Sequence, residues 1–381
     1  MLEKYSGKEI NRAGEMLISE IVKVDESSFS KAMDILSFWR FSHESPLESA
    51  FKIVQDYATE QDKNAICAKR LKRHASISLK LKRFSSMKLK NMQDIGGCRA
   101  ILSTEKKVYQ TLIVLKRRKE FRFNDGLFRI KDYIKKPKDD GYRGIHLIGK
   151  FNDLFGGSRS IEVQLRTKNQ HYWATAIEIV DLFTQQSLKT NQGRREWKEF
   201  FIGVSEILSV IDNIHMFDKL EDRLQFEKLL EAAIKKPDLQ QTISKVIDSC
   251  KNIGIIEKLN AFSRSLQVIN DNAAQIPADG YALIKIEINK KVATLNAQVF
   301  ESSQDQEASD AFVEAEKEAT KKEMVVALVF TDAIGGIKEA YPNYFADSSQ
   351  FIKYLVFIEE IHKRLSEGQS SFISLLRRIF K

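Results

Sequence analysis

Apolar positions along this chain fall into two rhythms, one of three to four residues and one of two, and the changes between them mark out its elements. Residues 8 to about 61 carry the helical rhythm. Leu47, Phe51, Val54 and Ala58 recur at helical spacing behind Pro46, a residue suited to a first turn, and Phe38 and Trp39 are expected to pack within the same helical cap. Cys98 to Leu102, with Arg99 inside it, reads as a buried strand after the Gly96-Gly97 turn, and Glu105 to Arg118 as a helix with Val108, Leu112 and Leu115 on one face. Further on, Ile161, Val163 and Leu165 alternate with Glu162, Gln164 and Arg166, so one strand sends its apolar set to a core and its polar set to one exposed patch. Asn169 to Phe183 reads as a helix with His171, Thr175 and Glu178 on one side and Trp173, Ile177 and Val180 on another. Amphipathic helices continue to about residue 270, and the end of the chain changes character. A turn leads into a strand through Leu283, Lys285 and Glu287; a hairpin partner, an acidic helix from Asp305 to Glu323, a buried strand from Met324 to Phe330 and a last helix from Phe351 to Leu365 follow.

That order divides the chain into a helical cap (1–64), an α/β domain (65–185), a helical connector (186–276) and a smaller second α+β domain (277–381). With 381 residues and 43% hydrophobic content, the chain has room for more than one core. The three cysteines are scattered without CxxC spacing, which fits neither a disulfide framework nor a zinc knuckle and points to a reducing cytoplasm. No run is long and apolar enough to be expected to span a bilayer, so no membrane partner is expected. The net charge of +9 favours an anionic partner, a nucleotide or nucleic acid, without specifying a fold.

The cationic charge is not evenly spread. From Lys69 to Lys90 there are nine lysines and arginines and no carboxylate, a surface suited to phosphates, with a merely solvated helix face as the plain alternative. Within it Ser76 can start a helix, placing Lys80 one turn later beside free backbone amides, and Arg70 and Lys72 share a face if their stretch is extended. Asp94, before the glycine turn, is either a turn-capping residue or a magnesium ligand. The stretch from Asp132 to Thr167 organises the rest. Its loop, with Lys135, Lys136, Pro137, Lys138, Gly141 and the aromatic Tyr142, runs into a strand, and beyond it Glu162, Gln164 and Arg166 place a carboxylate, an amide and a guanidinium on one patch. Together these outline a polyphosphate and metal site. His171 on its helix reads as structural, and the aromatic turn at Tyr341 to Phe345 as core packing or a contact surface.

Four stretches, RLKRHASISLKLKR, QDIGGCRAIL, DYIKKPKDDGYRGIHL and IEVQLRTKNQHYWA, in this order and spacing, resemble the synthetase domain of the RelA/SpoT family, which makes the alarmone (p)ppGpp. The resemblance covers roughly residues 65 to 185. It implies a nucleotidyltransferase-like mixed sheet flanked by helices and transfer of pyrophosphate from ATP to the ribose 3′-hydroxyl of GDP or GTP. By motif position it implies that Asp94 and Glu162 hold magnesium, with Glu162 also helping to deprotonate the attacking hydroxyl. Arg70, Lys72, Ser76 and Lys80 are implied to grip ATP phosphates and Arg99 to lie near the adenine or its phosphates. Tyr142 is implied to stack on the acceptor base, with Lys138 and His146 meeting phosphates beside Gln164 and Arg166. Two departures open the choice of acceptor: Gly144 stands where family synthetases usually carry serine, and the helix after the glutamate strand reads NQHYWATAIEIVD. Both resemble a subgroup that includes toxic and phage-defence synthetases, some of which modify the 3′ end of tRNA, so tRNA is an alternative acceptor. A non-catalytic nucleotide-binding regulator is the third reading. None of the six histidines precedes an aspartate, so the family's hydrolase signature is missing, and residues 186–381 are expected to restrain or sense for the synthetase, through a regulator protein or a second copy of the chain.

Overall fold

The chain enters helix α1 (Gly7–Met16) through a capping box, with the Ser6 hydroxyl accepting from the Glu9 amide and the Glu9 carboxylate accepting from the Ser6 amide. The computed structural model describes residues 5–18, 26–72, 74–184, 188, 193–214, 222–271, 280–288, 293–319, 324–330 and 344–367. These form two compact units, one from residues 1–136 and 144–167 and one from residues 137–143 and 168–381.

In the first unit α2 (Glu26–Phe41) and α3 (Glu44–Gln61) follow α1, and α4 (His74–Arg83) comes after strand β1 (Ile66–Leu71). Ile10, Leu36, Trp39, Ile77 and Leu81 from α1, α2 and α4 close over Ile95 in one small core. The main sheet has the order β1-β2-β5-β4-β3, with β2 (Gly96–Leu102), β3 (Arg129–Asp132), β4 (Ile145–Asn152) and β5 (Ser158–Thr167). Only β2 and β5 run parallel; the other pairs are antiparallel. The alternation read in β5 holds. Ile161, Val163 and Leu165 pair in register with Gly96, Cys98 and Ala100 on one side and with Gly149, Leu147 and Ile145 on the other. On that face α3 and α5 (Glu105–Leu115) bury Leu47, Ala50, Val54, Ala58, Val108, Leu112 and Leu115 against the sheet. The opposite face takes the polar set.

In the second unit α6 (Lys168–Thr184) lies in one core with α7 (Arg195–Ile214), α8 (Asp222–Lys235), α9 (Pro237–Ile253), α10 (Ile255–Asp271) and the last helix, α12 (Tyr344–Ser366). The helix read from residues 169–183 is present, and both of its sides are largely covered: His171, Trp173, Thr175, Ile177, Ile179 and Val180 are buried, while Glu178 is half-buried. Helices pack around α6 on several sides, and its buried polar groups find partners. Asn169 Nδ2 donates to Asp212 Oδ1 at 2.8 Å, Thr175 Oγ1 to the His171 carbonyl at 3.0 Å, and His171 Nε2 meets Asp347 Oδ2 at 3.0 Å. The expected β-β-α-β-α order is present as β6 (Tyr281–Ile288), β7 (Ala293–Phe300), α11 (Asp305–Ala319), β8 (Met324–Phe330) and α12, with sheet order β7-β6-β8. Leu283 packs with α11 on one face of this sheet, while Ala282 and Ile284 join the core that holds α6 and α12. Buried residues on either side of the boundaries at 185/186 and 276/277, such as Phe183, Leu188, Phe262 and Ala282, belong to one hydrophobic core. Of the aromatic turn, residues 341–343 lie outside the described residues.

Candidate active site

Strand register decides which polar side chains share a face. Glu162, Gln164 and Arg166 of β5 pair with Gly97, Arg99 and Ile101 of β2, and Gly97 in turn pairs with Arg70 of β1. On the other side Gln164 pairs with His146 of β4. Arg70, Arg99, His146, Glu162, Gln164 and Arg166 thus occupy one face of the sheet, with glycine at 97 leaving the space beside Glu162 open. A methyl there would meet only the Glu162 carbonyl oxygen, at 3.7 Å.

Along β5 these groups form a relay. Arg166 Nη2 donates to Gln164 Oε1 at 2.7 Å, Gln164 Nε2 donates to Glu162 Oε2 at 2.7 Å, and His146 Nδ1 donates to Glu162 Oε1 at 3.0 Å. The Tyr133 ring stands edge-on to the His146 imidazole at 5.2 Å and fixes its plane. Burial on its own pushes the Glu162 carboxyl up, but the hydrogen bonds from His146 and Gln164, with the charge of Lys80, outweigh it and hold the group at about 2. Glu162 is a half-buried, ionised carboxylate.

Asp94 is held from the other side. Lys72 follows β1, and its amide donates to the Ile95 carbonyl at 2.6 Å, which carries the strand geometry one residue further and points its ammonium at Asp94. Lys72 Nζ lies 3.1 Å and Lys80 Nζ 2.8 Å from Asp94 Oδ2. Both cations use the same oxygen. Asp94 Oδ1 is buried with no hydrogen-bond partner, and a buried carboxylate oxygen without a donor is costly unless a ligand supplies a positive charge. The turn-capping role weighed for Asp94 is thus not what its side chain does here. Ser76 lies inside α4, which starts at His74, and not at its start; it remains in the first turn, where backbone amides have no helical acceptor. No group of three or more His, Cys, Asp or Glu side chains able to hold a metal occurs among the described residues. Two carboxylates suit magnesium, which takes one or two from the protein and completes its shell with water and substrate phosphates.

Lys138 and Tyr142 belong to the second unit. Their loop turns on itself, with the Gly141 amide donating to the Lys138 carbonyl at 2.8 Å and the Tyr142 amide to Asp140 Oδ1 at 2.8 Å. Lys138 Nζ sits 4.6 Å from the centre of the Tyr142 ring, and the centres of the Tyr142 and Trp173 rings lie 6.4 Å apart with their planes at 62°. Gly141 has φ +90° and Gly144 φ +150°, both in the region that favours glycine. A serine at 144 would be strained in this loop, which gives the departure noted from the sequence a physical cause.

Residues 69–180 match the family model RelA_SpoT, described as a region found in RelA / SpoT proteins. Every sequence-named site residue, from Arg70 to Arg166, lies inside that RelA/SpoT region. The GTP pyrophosphokinase YwaC of Bacillus subtilis is 32% identical over 140 residues, which is 34% of this chain and 65% of that protein. The GTP pyrophosphokinase YjbM of the same organism is 32% identical over 129 residues, 32% of this chain and 59% of that one. The chain thus spans under two thirds of the length of these relatives. The crystal structure of small alarmone synthetase 1 from Bacillus subtilis, bound to its product pppGpp, aligns with 47% of this chain and 94% of that one at a TM-score of 0.40 and 23% identity.

Sequence reasoning did not single out Arg143 or Ser205. Arg143 Nε donates to Ser205 Oγ at 3.1 Å, and Ser205 lies mid-helix in α7, where nothing in the surrounding apolar pattern distinguishes it.

Proposed function

We propose that this chain is an ATP-dependent pyrophosphokinase that transfers pyrophosphate to the ribose 3′-hydroxyl of GDP or GTP, forming (p)ppGpp. The observation that carries the reading is the pair of half-buried carboxylates, Asp94 with one buried oxygen left without a donor and Glu162 held ionised, beside Lys72, Lys80, Arg70 and Arg99. The sequence relatives named GTP pyrophosphokinases support the same reaction class.

Asp94 and Glu162 fit a magnesium ion, which when bound supplies charge neutralisation to the transferring phosphoryl oxygens. The chain's own groups do the remainder. Lys72 and Lys80, with Arg70, bind donor phosphates, and the first-turn amides of α4 around Ser76 add neutral donors. Arg99 holds the donor nucleotide. His146 and Gln164 orient Glu162, while Arg166 fixes Gln164. A carboxylate at about 2 is a poor proton acceptor at neutral pH, which favours a cation-holding role for Glu162 over that of general base. Tyr142 stacks on the acceptor base and Lys138 meets its phosphates.

One observation favours a second acceptor. Glycine at 144, at φ +150°, adopts a backbone that a serine there would strain to reach, and this departure from the family's usual serine is what keeps the tRNA 3′ end as a second acceptor. The test is incubation of the purified chain and its Glu162→Gln variant with magnesium, β-phosphate-labelled ATP and, separately, GDP, GTP and bulk tRNA. Label on a guanine nucleotide that is lost in the variant is the expected result. Label on tRNA alone replaces the acceptor, and no label on any acceptor overturns the enzymatic reading in favour of a nucleotide-binding regulator.

A further inference from the structure

The loop bearing Lys138 and Tyr142 is fastened to a helix that lies beyond the RelA/SpoT match. Ser205 on α7 is buried, with 4% of its surface exposed, and its hydroxyl donates to the Gly141 carbonyl at 2.5 Å while accepting from Arg143 Nε at 3.1 Å. One hydroxyl therefore ties the residues on both sides of Tyr142. The loop is also pressed against the helix. A methyl on Gly141 would lie 3.1 Å from Ile202 Cα, 3.3 Å from Ser205 Cβ and 3.4 Å from Trp173 Cζ2, and the φ of +90° at Gly141 disfavours any side chain there.

The seat itself is rigid. Trp173 Nε1 of α6 donates to the Phe201 carbonyl of α7 at 2.8 Å, and Phe200, Phe201, Val204 and Leu208 of α7 are buried in the core of the second unit. Gly203 lets α9 approach so closely that a methyl would meet Val246 Cγ2 at 2.6 Å. Side chains held within such packing keep one rotamer and transmit their position to whatever they bond. A buried hydroxyl that both donates and accepts holds one backbone carbonyl and one side chain of the loop at once.

We propose that Ser205 is a positioning residue for the acceptor: through Gly141 and Arg143 it sets the place of Tyr142 and Lys138, so acceptor binding depends on α7 and not on the matched region alone. This rests on the pyrophosphokinase reading for what the loop binds. The anchoring itself does not.

The test compares the full chain with Ser205→Ala and, as a second route to the same displacement, Gly141→Ala, each first checked for a wild-type circular dichroism spectrum. Initial rates with the acceptor that the wild type labels are expected to show a KM for that acceptor raised about tenfold, with the KM for ATP within about twofold of wild type. Hydrogen–deuterium exchange is the second readout. Amides of residues 137–144 are expected to exchange faster in both variants while those of residues 94–102 keep their protection. Equal changes in both KM values, or unchanged protection of residues 137–144 in Ser205→Ala, overturns the proposal. If the wild type labels no acceptor, the functional reading falls by itself and the exchange experiment alone still decides whether Ser205 anchors the loop.

Discussion

Glu162 keeps its charge in a half-buried place because donors on both of its oxygens outweigh the loss of water. Asp94 differs in that one oxygen takes both lysines and the other takes none. The Asp94→Asn variant should therefore fold normally and lose label transfer by about a thousandfold or more, since one of two cation-holding carboxylates is gone; turnover near the wild-type rate in the transfer assay would sink the assignment. His43 gives a separate signature. Its ring is buried beside Trp39, Nδ1 donating to the Trp39 carbonyl at 2.7 Å, and burial holds its pKa down at about 4 against an ordinary 6.5. The unfolded chain binds the His43 proton between these two values and the folded chain does not, so this contribution is present above about 6.5 and lost as pH falls to about 4. Thermal melts from pH 7 to pH 4 should show a smaller decline in Tm for His43→Gln than for the wild type, and parallel declines would refute it.

At the scale of elements, glycines separate the two faces of the main sheet. Gly149 in β4 faces the core, where a methyl would come within 2.6 Å of Phe151 Cε2 and 2.8 Å of Phe121 Cε1, both rings being buried. Gly97 in β2 faces the polar side with open space. Gly149→Ala should destabilise by about 1–3 kcal/mol through overpacking, whereas Gly97→Ala should leave stability within about 1 kcal/mol of wild type yet weaken ATP binding by crowding the Glu162 side of the face. Urea denaturation of both variants with an ATP titration checks the pair, and equal losses of stability would mean that the two faces are not distinguished as described. The strand alternation made this legible in advance for β5. It was less legible for β2, whose apolar run hides that Arg99 points to the polar face.

For the whole molecule, the shared core of the second unit changes what a deletion means. Phe351, Leu355, Ile358 and Ile361 of α12 are buried in the same core as α6. Removing residues 344–381 should strip that core of four large side chains, each worth about 1.5–3 kcal/mol when fully buried, and leave a chain that melts far below the wild type or does not fold cooperatively. Calorimetry of the truncated chain tests this, and a wild-type melting temperature would refute it. A restraint exerted by residues 186–381 is thus better examined with point substitutions such as Ser205→Ala than with a fragment ending at 185, which would expose the buried flanks of α6. Among the described residues no helix is long and apolar enough to cross a membrane, and the three cysteines are free, with burial pushing the Cys67 thiol up to about 11 and Cys250 to about 12.

The sequence by itself determined most helices and the two faces of β5, because helix and strand periods and glycine turns act over a few neighbouring residues. Four ordered motifs named the candidate site residues, since each sits in a short stretch whose chemistry is local. Only the tertiary structure decided which oxygen of Asp94 is left without a donor, that α6 is covered on most sides, and that Ser205 meets Arg143 from 62 residues away. Those outcomes depend on which distant segments meet in one core, and no local pattern encodes the partner of a buried hydroxyl or the cation that reaches a given oxygen.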